Sequence, residues 1–221
     1  MDKSAIRLLS KTLRDAQSPD QVAQCSREVV RRLLELPVLQ QASVQNRFVS
    51  LYHPIRSELD VTGAVAELVR RGARILLPVI LPEPDGVSAL AMGEVPPEIA
   101  LACDTAPQTL AEWLDPGSFG LLEPSRGALV PIESMRHEFA CVIIPGLAYD
   151  VHGTRVGYGK GYYDGFLARF RGTGQPHLPV VAPAFDFQLL DGTIPAAPHD
   201  VPVDTLVTPT RTIAAAHFTS L

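Results

Sequence analysis

FACVII at residues 139–144, running into PGLAYDVHGTRVGYGKGYYDGFLARF at residues 145–170, decides the fold. Six apolar residues in a row, with no polar alternation, predict a strand covered on both faces, as in the centre of a parallel sheet. A long Gly-rich loop follows, and from Gly161 to Arg171 the spacing predicts a helix. Strand, loop, helix is the repeating unit of an α/β sheet, whose ligands sit beyond the C-terminal ends of strands. The loop lies at such an end. Its glycines at 157, 159 and 161 permit φ > 0 and bring backbone N–H groups close to a ligand, the helix start adds partial positive charge, and Arg155 and Lys160 add full charges. That combination suits a phosphate; a turn with solvated cations is the plainer alternative. The pattern is neither G-x4-G-K-[ST] nor G-x-G-x-x-G.

Outward from this unit, Ile6, Leu9 and Leu13 predict a first helix over 3–15. Val22, Val29, Val30, Leu33 and Leu34 predict a second over 20–36, with Asp20 as N-cap and Pro37 as its bound. RFVSLY at 47–52 reads as a strand, 61–71 as a helix closed by Gly72, and RILLPVI at 74–80 as a strand that Pro78 ends or distorts. Residues 87–92 predict a further strand, in a hairpin through Asp85-Gly86. Residues 93–137 are loop-rich, with Trp113 as a packing anchor. Short strands at 178–182 and 203–208 complete the chain. The expectation is one α/β domain over 1–221: a three-layer arrangement, a mostly parallel sheet flanked by helices, and one antiparallel edge.

Composition narrows the function. The net charge of −5 argues against broad nucleic-acid binding. No apolar run approaches the ~20 residues of a membrane span, and the first residues carry neither a signal core nor a transit pattern, so a cytoplasmic location is expected. Cys25, Cys103 and Cys141 are too few and too widely spaced for a disulfide framework or a zinc site; Cys141, within the buried run, reads as a reduced core thiol.

The candidate site residues each have two readings. Asp164, in the first turn of the helix after the loop, is a dipole-compensating acid or a magnesium ligand beside a nucleotide. Asp200, in HDVPVD at 199–204, is a surface turn residue or a second such carboxylate. Tyr162 and Tyr163 point about 100° apart on a helix, so one can line a pocket while the other packs inward. Glu58, in HPIRSELD at 53–60, is a helix-start acid or an acceptor for the N–H groups of a pterin-like ring.

Taken together, these segments resemble the 5-formyltetrahydrofolate cyclo-ligase family. The loop at 143–167 matches its signature in order and spacing. KSAIR at 3–7, YHPIRSELD at 52–60, LLEPS at 121–125 and PHDVPVDTLVT at 198–208 are similar to further family segments. The match is weak at 80–120, His53 falls where relatives vary, and Gly165 stands where many relatives carry a larger residue. The resemblance implies conversion of 5-formyltetrahydrofolate and ATP to 5,10-methenyltetrahydrofolate, ADP and phosphate, with Mg. It implies ATP on Lys3, Arg7 and the run Arg155, Gly157, Tyr158, Gly159, Lys160, Gly161, Tyr162 and Tyr163. It also implies folate on His53, Glu58 and the 158–162 stretch, Mg by Asp164 and Asp200, and catalytic charge from Lys160 and Arg155. The implied partners are a reduced folate and ATP, with no nucleic acid and no membrane, on a monomer. Two other classes compete: a relative that binds nucleotide or folate without closing the ring, and a sugar-phosphate isomerase or acyl-CoA transferase on a similar scaffold, for which Glu123 is the candidate carboxylate.

Overall fold

The computed structural model describes residues 1–82, 88–170 and 177–216. Helices α1 (Lys3–Asp15) and α2 (Pro19–Glu35) come first, then the short α3 (Gln41–Val44), β1 (Phe48–Ser50), α4 (Val65–Arg70), β2 (Arg74–Pro82) and β3 (Ser88–Glu94). The loop-rich middle proves to hold α5 (Pro97–Ala102), α6 (Thr109–Trp113), the two-residue strands β4 (Asp115–Pro116) and β5 (Leu122–Glu123), and α7 (Ile132–Met135). The chain continues through β6 (Phe139–Ile143), a small ribbon of β7 (Ala148–Tyr149) and β8 (Arg155–Val156), α8 (Tyr162–Ala168), β9 (Val180–Pro183), β10 (Thr205–Val207) and β11 (Thr212–Ala214).

Seven strands form one sheet in the order β11-β10-β9-β6-β1-β2-β3. The five inner strands are mutually parallel. Both edges are antiparallel, β3 on β2 and β11 on β10, where the sequence suggests one. The second edge arises because Thr208 and Arg211 close a tight turn, the Thr208 N–H donating to the Arg211 carbonyl and the Arg211 N–H to Thr208 Oγ1. Such a turn can only return a strand antiparallel.

Period-two alternation divides the sheet between two apolar cores. Val49, Ile75, Leu77, Cys141, Ile143 and Val181 face α2 and α4. Phe48, Leu76, Phe139, Val142, Val180 and Leu206 face α8. All five residues of β6 are buried, as the unbroken run FACVI demands of a strand covered on both sides. Burial pushes the Cys141 thiol up to about 12, so it remains a protonated core residue. Trp113 packs half-buried against the α2 side.

Three local expectations are revised. Ser18, not Asp20, caps α2: its Oγ accepts the Gln21 N–H at 3.3 Å, Gln21 Oε1 accepts the Ser18 N–H at 2.9 Å, and Pro19 starts the helix where no N–H is needed. In α1 the buried face is Ile6, Ser10 and Arg14, while Leu9 and Leu13 are 45% and 40% exposed. Pro78 neither ends nor bends β2. Residues 74 and 76 bond toward β1, so residue 78 points its nitrogen the same way, and the β1 ladder ends opposite Leu76; the missing N–H breaks no ladder bond there. The turn Asp85-Gly86 lies outside the described residues, as does the last residue of the helix expected to reach 171; α8 ends at Ala168. Gly72 follows α4 at φ +90°, as its position suggests. Among the described residues no helix is long and apolar enough to cross a membrane.

Candidate active site

The chain passes from β1 through α4 to β2 on one side, while β6 lies on the other, so the strand order reverses between β1 and β6. A crevice opens at the carboxyl ends of strands at such a point. Here a cavity of ≈ 10 Å³, on the order of one water molecule, is lined by Arg14, Tyr52, Glu58, Gly146, Pro183 and Gln188. Glu58 also lines a groove of ≈ 920 Å³ between α2 and the 54–63 segment.

The glycine loop forms the second wall. Buried Asp150 organises its base, accepting the N–H groups of His152 (3.0 Å), Thr154 (2.9 Å) and Ile194 (2.8 Å). Gly159 and Gly161 take φ of +88° and +70°. Gly157 does not enter the left-handed region; its constraint is space, since a Cβ there would lie 2.8 Å from Arg155 Nη1. A Cβ on Gly161 would meet nothing within 4 Å, so the loop crest is open, and Lys160 is exposed on it. Gly161 is the N-cap of helix α8 and offers it no side-chain hydrogen bond.

Helix α1 is laid across this loop. Ile6 packs with Ala148, Val156 and Ile194. Arg7 Nε donates to the Gly157 carbonyl at 2.9 Å, and Lys3 is ion-paired with Asp200. Arg7, 150 positions from its partner in sequence, thus stands beside the loop that carries Lys160, and Lys3, one turn earlier on α1, is tied to Asp200. Arg155 is placed differently from Lys160. Its side chain is 6% exposed, donates to Asp164 Oδ2 at 3.1 Å and to the Pro145 carbonyl at 3.3 Å, and passes 5.8 Å from the Tyr163 ring. Asp164 Oδ1 accepts the Val201 N–H at 3.1 Å, so Asp164 meets the segment that carries Asp200. Among the described residues no cluster of three or more His, Cys, Asp or Glu is present that could hold a metal by itself. Asp164 and Asp200 are carboxylates, the donor type that magnesium takes along with phosphate oxygens and water. Asp200 Oδ1 lies 3.9 Å from His199 Nε2, beyond hydrogen-bond reach. Burial works against the charge of Asp200. The Lys3 hydrogen bond, the Ala197 amide and the charges of Lys3 and His199 outweigh it, so its carboxyl sits below the usual range.

On the opposite wall the structure groups Glu58 with a residue that sequence reasoning missed, Arg14. Glu58 is 5% exposed, and burial raises its carboxyl despite the Ile55 amide, the Arg14 charge and the Tyr158 hydroxyl. Arg14 is 1% exposed, with Nη1 3.6 Å from Glu58 Oε1 and Nη2 donating to the Tyr158 hydroxyl. The Tyr158 hydroxyl donates to Glu58 Oε1 at 3.1 Å; burial and then the Glu58 charge push that phenol up to about 12. The available signal was spacing: Arg14 continues the Ile6, Ser10 series at every fourth position. His53 is half-buried next to Tyr52, and burial lowers its pKa despite the charge of Asp60. Tyr162 and Tyr163 both pack, partly buried, against the α8 core, and the Tyr163 ring also faces Arg155. Glu123 is buried in the β4–β5 ribbon near the end of β2, against Gly117, and does not line the crevice. The carboxylate that does is Glu58.

The 5-formyltetrahydrofolate cyclo-ligase family model matches residues 1–209. A relative from Mycolicibacterium smegmatis named 5-formyltetrahydrofolate cyclo-ligase is 35% identical over 173 residues, 78% of each chain. One from Caenorhabditis elegans, named probable 5-formyltetrahydrofolate cyclo-ligase, is 26% identical over 216 residues, covering 96% of this chain and 94% of that one. The solved structure of Aquifex aeolicus 5,10-methenyltetrahydrofolate synthetase superposes with a TM-score of 0.70 at 29% identity, covering 98% of this chain and 94% of that chain. With a match from the first residue to beyond the last parallel strand, and that fold, the chain belongs to the 5-formyltetrahydrofolate cyclo-ligase family.

Proposed function

We propose that this enzyme converts 5-formyltetrahydrofolate to 5,10-methenyltetrahydrofolate at the expense of ATP, releasing ADP and phosphate. The observation that carries the reading is the juxtaposition at one crevice of an open glycine loop bearing Lys160, flanked by Lys3 and Arg7, with a buried carboxylate, Glu58, on the opposite wall. The first suits a triphosphate, the second a ring rich in N–H donors.

A formamide carbonyl is a poor electrophile because its nitrogen donates into it. In the proposed route the formyl oxygen attacks the γ-phosphorus of ATP and ADP leaves. The resulting imidate-phosphate carbon is attacked by N10, which loses its proton, and inorganic phosphate departs as the ring closes. The protein's part is placement and charge, since phosphoryl transfer needs an in-line approach and neutralisation of spreading negative charge. Lys160, on the exposed crest, meets the transferred group. Lys3, Arg7 and the backbone of 157–163 hold the remaining phosphates, and Arg155 fixes the loop from beneath through Asp164. A magnesium ion bound with the nucleotide would be held by Asp164 and Asp200 and would supply further charge neutralisation. No protein nucleophile is required.

The test is formation of the methenyl chromophore from 5-formyltetrahydrofolate with and without ATP and Mg, together with stoichiometric phosphate release. Lys160→Ala is expected to lower turnover about 100-fold or more while the melting temperature stays put, because the side chain is exposed. ATP-independent product, or near-normal turnover in the variant, refutes the assignment.

A further inference from the structure

A carboxylate at 5% exposure has lost the water that stabilises its charge, and three groups replace it at Glu58. The Ile55 N–H donates to Oε2 at 3.1 Å, the Tyr158 hydroxyl donates to Oε1 at 3.1 Å, and Arg14 Nη1 stands 3.6 Å from Oε1. Arg14 is the only cation of the three. Its Nε donates to Ser57 Oγ at 3.2 Å and its Nη2 to the Tyr158 hydroxyl, but Nη1 is buried with no hydrogen-bond acceptor, and Arg14 lines the ≈ 10 Å³ cavity. A buried guanidinium nitrogen left without an acceptor is costly, and such an exception calls for a reason. The Tyr158 hydroxyl meets Nη2 and leaves Nη1 unmet. It donates a hydrogen bond to Glu58 and accepts one from Arg14, so a single polar group already occupies the gap between them as donor and acceptor together. Tyr158 is 39% exposed, in contrast to the buried pair that it bridges, and belongs to the open glycine loop.

A donor and an acceptor side by side match a ring edge that carries N–H next to C=O. Resting on the folate reading above, we infer that Arg14 and Glu58 together read the lactam edge of the pteridine ring. Glu58 accepts the ring N–H, and Arg14 Nη1 donates to the neighbouring ring carbonyl oxygen. The ring enters from the ≈ 920 Å³ groove that Glu58 also lines, and displaces the Tyr158 hydroxyl that stands in for it. Arg14 serves a second end, since its charge opposes the burial that would protonate Glu58. The remaining groups that sense Glu58 are the phenols of Tyr52, Tyr149, Tyr158 and Tyr163, all shifted upward by burial and neutral at physiological pH.

The test is equilibrium binding by calorimetry without ATP, using 5-formyltetrahydrofolate and a 2,4-diamino analogue whose ring carbonyl is replaced by an amino group. Arg14→Gln is expected to weaken the 4-oxo ligand about tenfold, the worth of one charge-assisted hydrogen bond, and to leave the diamino ligand unchanged or tighter. Equal loss for both ligands marks a merely structural arginine and overturns the inference, as does no loss for either. Arg14→Lys, which keeps the charge but offers one nitrogen, guards against misfolding of the first variant. It is expected to compress the ratio between the two ligands in the same direction, and an unchanged ratio overturns the inference. ATP-dependent cyclisation by the unaltered enzyme is followed separately, so failure of the overall reaction and failure of lactam recognition are told apart.

Discussion

Asp164→Asn separates two roles that the same carboxylate can play. The substitution keeps an oxygen for the Val201 N–H but removes the negative charge facing Arg155, whose side chain is 6% exposed. Leaving one partner of a fully buried ion pair uncompensated costs roughly 3–5 kcal/mol. Asp164 itself is 20% exposed, so water takes over part of the lost interaction, and about 2–3 kcal/mol is the expected loss. For a chain of this length each kcal/mol moves the melting temperature about 2–4 °C, which gives a fall of about 4–12 °C. Thermal melting followed by circular dichroism, in EDTA and without nucleotide, isolates this contribution from any ligand effect. If the variant melts with the unaltered protein in EDTA and differs only in its stabilisation by magnesium and ATP, the reasoning is wrong. Asp164 is then purely a ligand, and the Arg155 contact does not hold the loop.

Gly161→Ala places a Cβ in open space, so only the backbone opposes it; at φ +70° the expected destabilisation is about 1–2 kcal/mol. Its KM for ATP should rise while its KM for folate holds, and equal shifts in both would refute the loop's assignment to phosphate. The Lys3–Asp200 pair stabilises the fold above 3.8, the ordinary carboxyl value, because Asp200 is held below it; that stability is lost as pH falls through the folded-state pKa. Melting temperature measured between pH 5 and 2 should therefore drop more steeply for the unaltered protein than for Asp200→Asn, by an amount on the order of 1 kcal/mol at this partly exposed site; parallel curves would show that the pair contributes nothing.

Much of this protein is legible from residues near one another in the chain. The unbroken apolar run at 139–144 requires cover on both faces, which already implies a parallel sheet between two helical layers, and the sheet has that form. Glycines at 159 and 161 announce a backbone that other residues resist, and both take positive φ. Gly72, after α4, is legible on the same ground. What the chain could not disclose depends on partners far away in sequence. Leu9 and Leu13 have helical spacing, yet α1 turns them to solvent and buries Ile6, Ser10 and Arg14, because the surface that it covers offers Ala148 and Val156 at one end and Glu58 at the other. Arg155 reads as a cation facing phosphate or water until Asp164 and the Pro145 carbonyl are seen to enclose it. Local sequence sets backbone preference and which stripe can be apolar. Whether a charge faces water, a phosphate or another charge is fixed only when the ends of β1, β6 and β9 converge, since a buried ion is tolerated only where its counter-charge is brought to it.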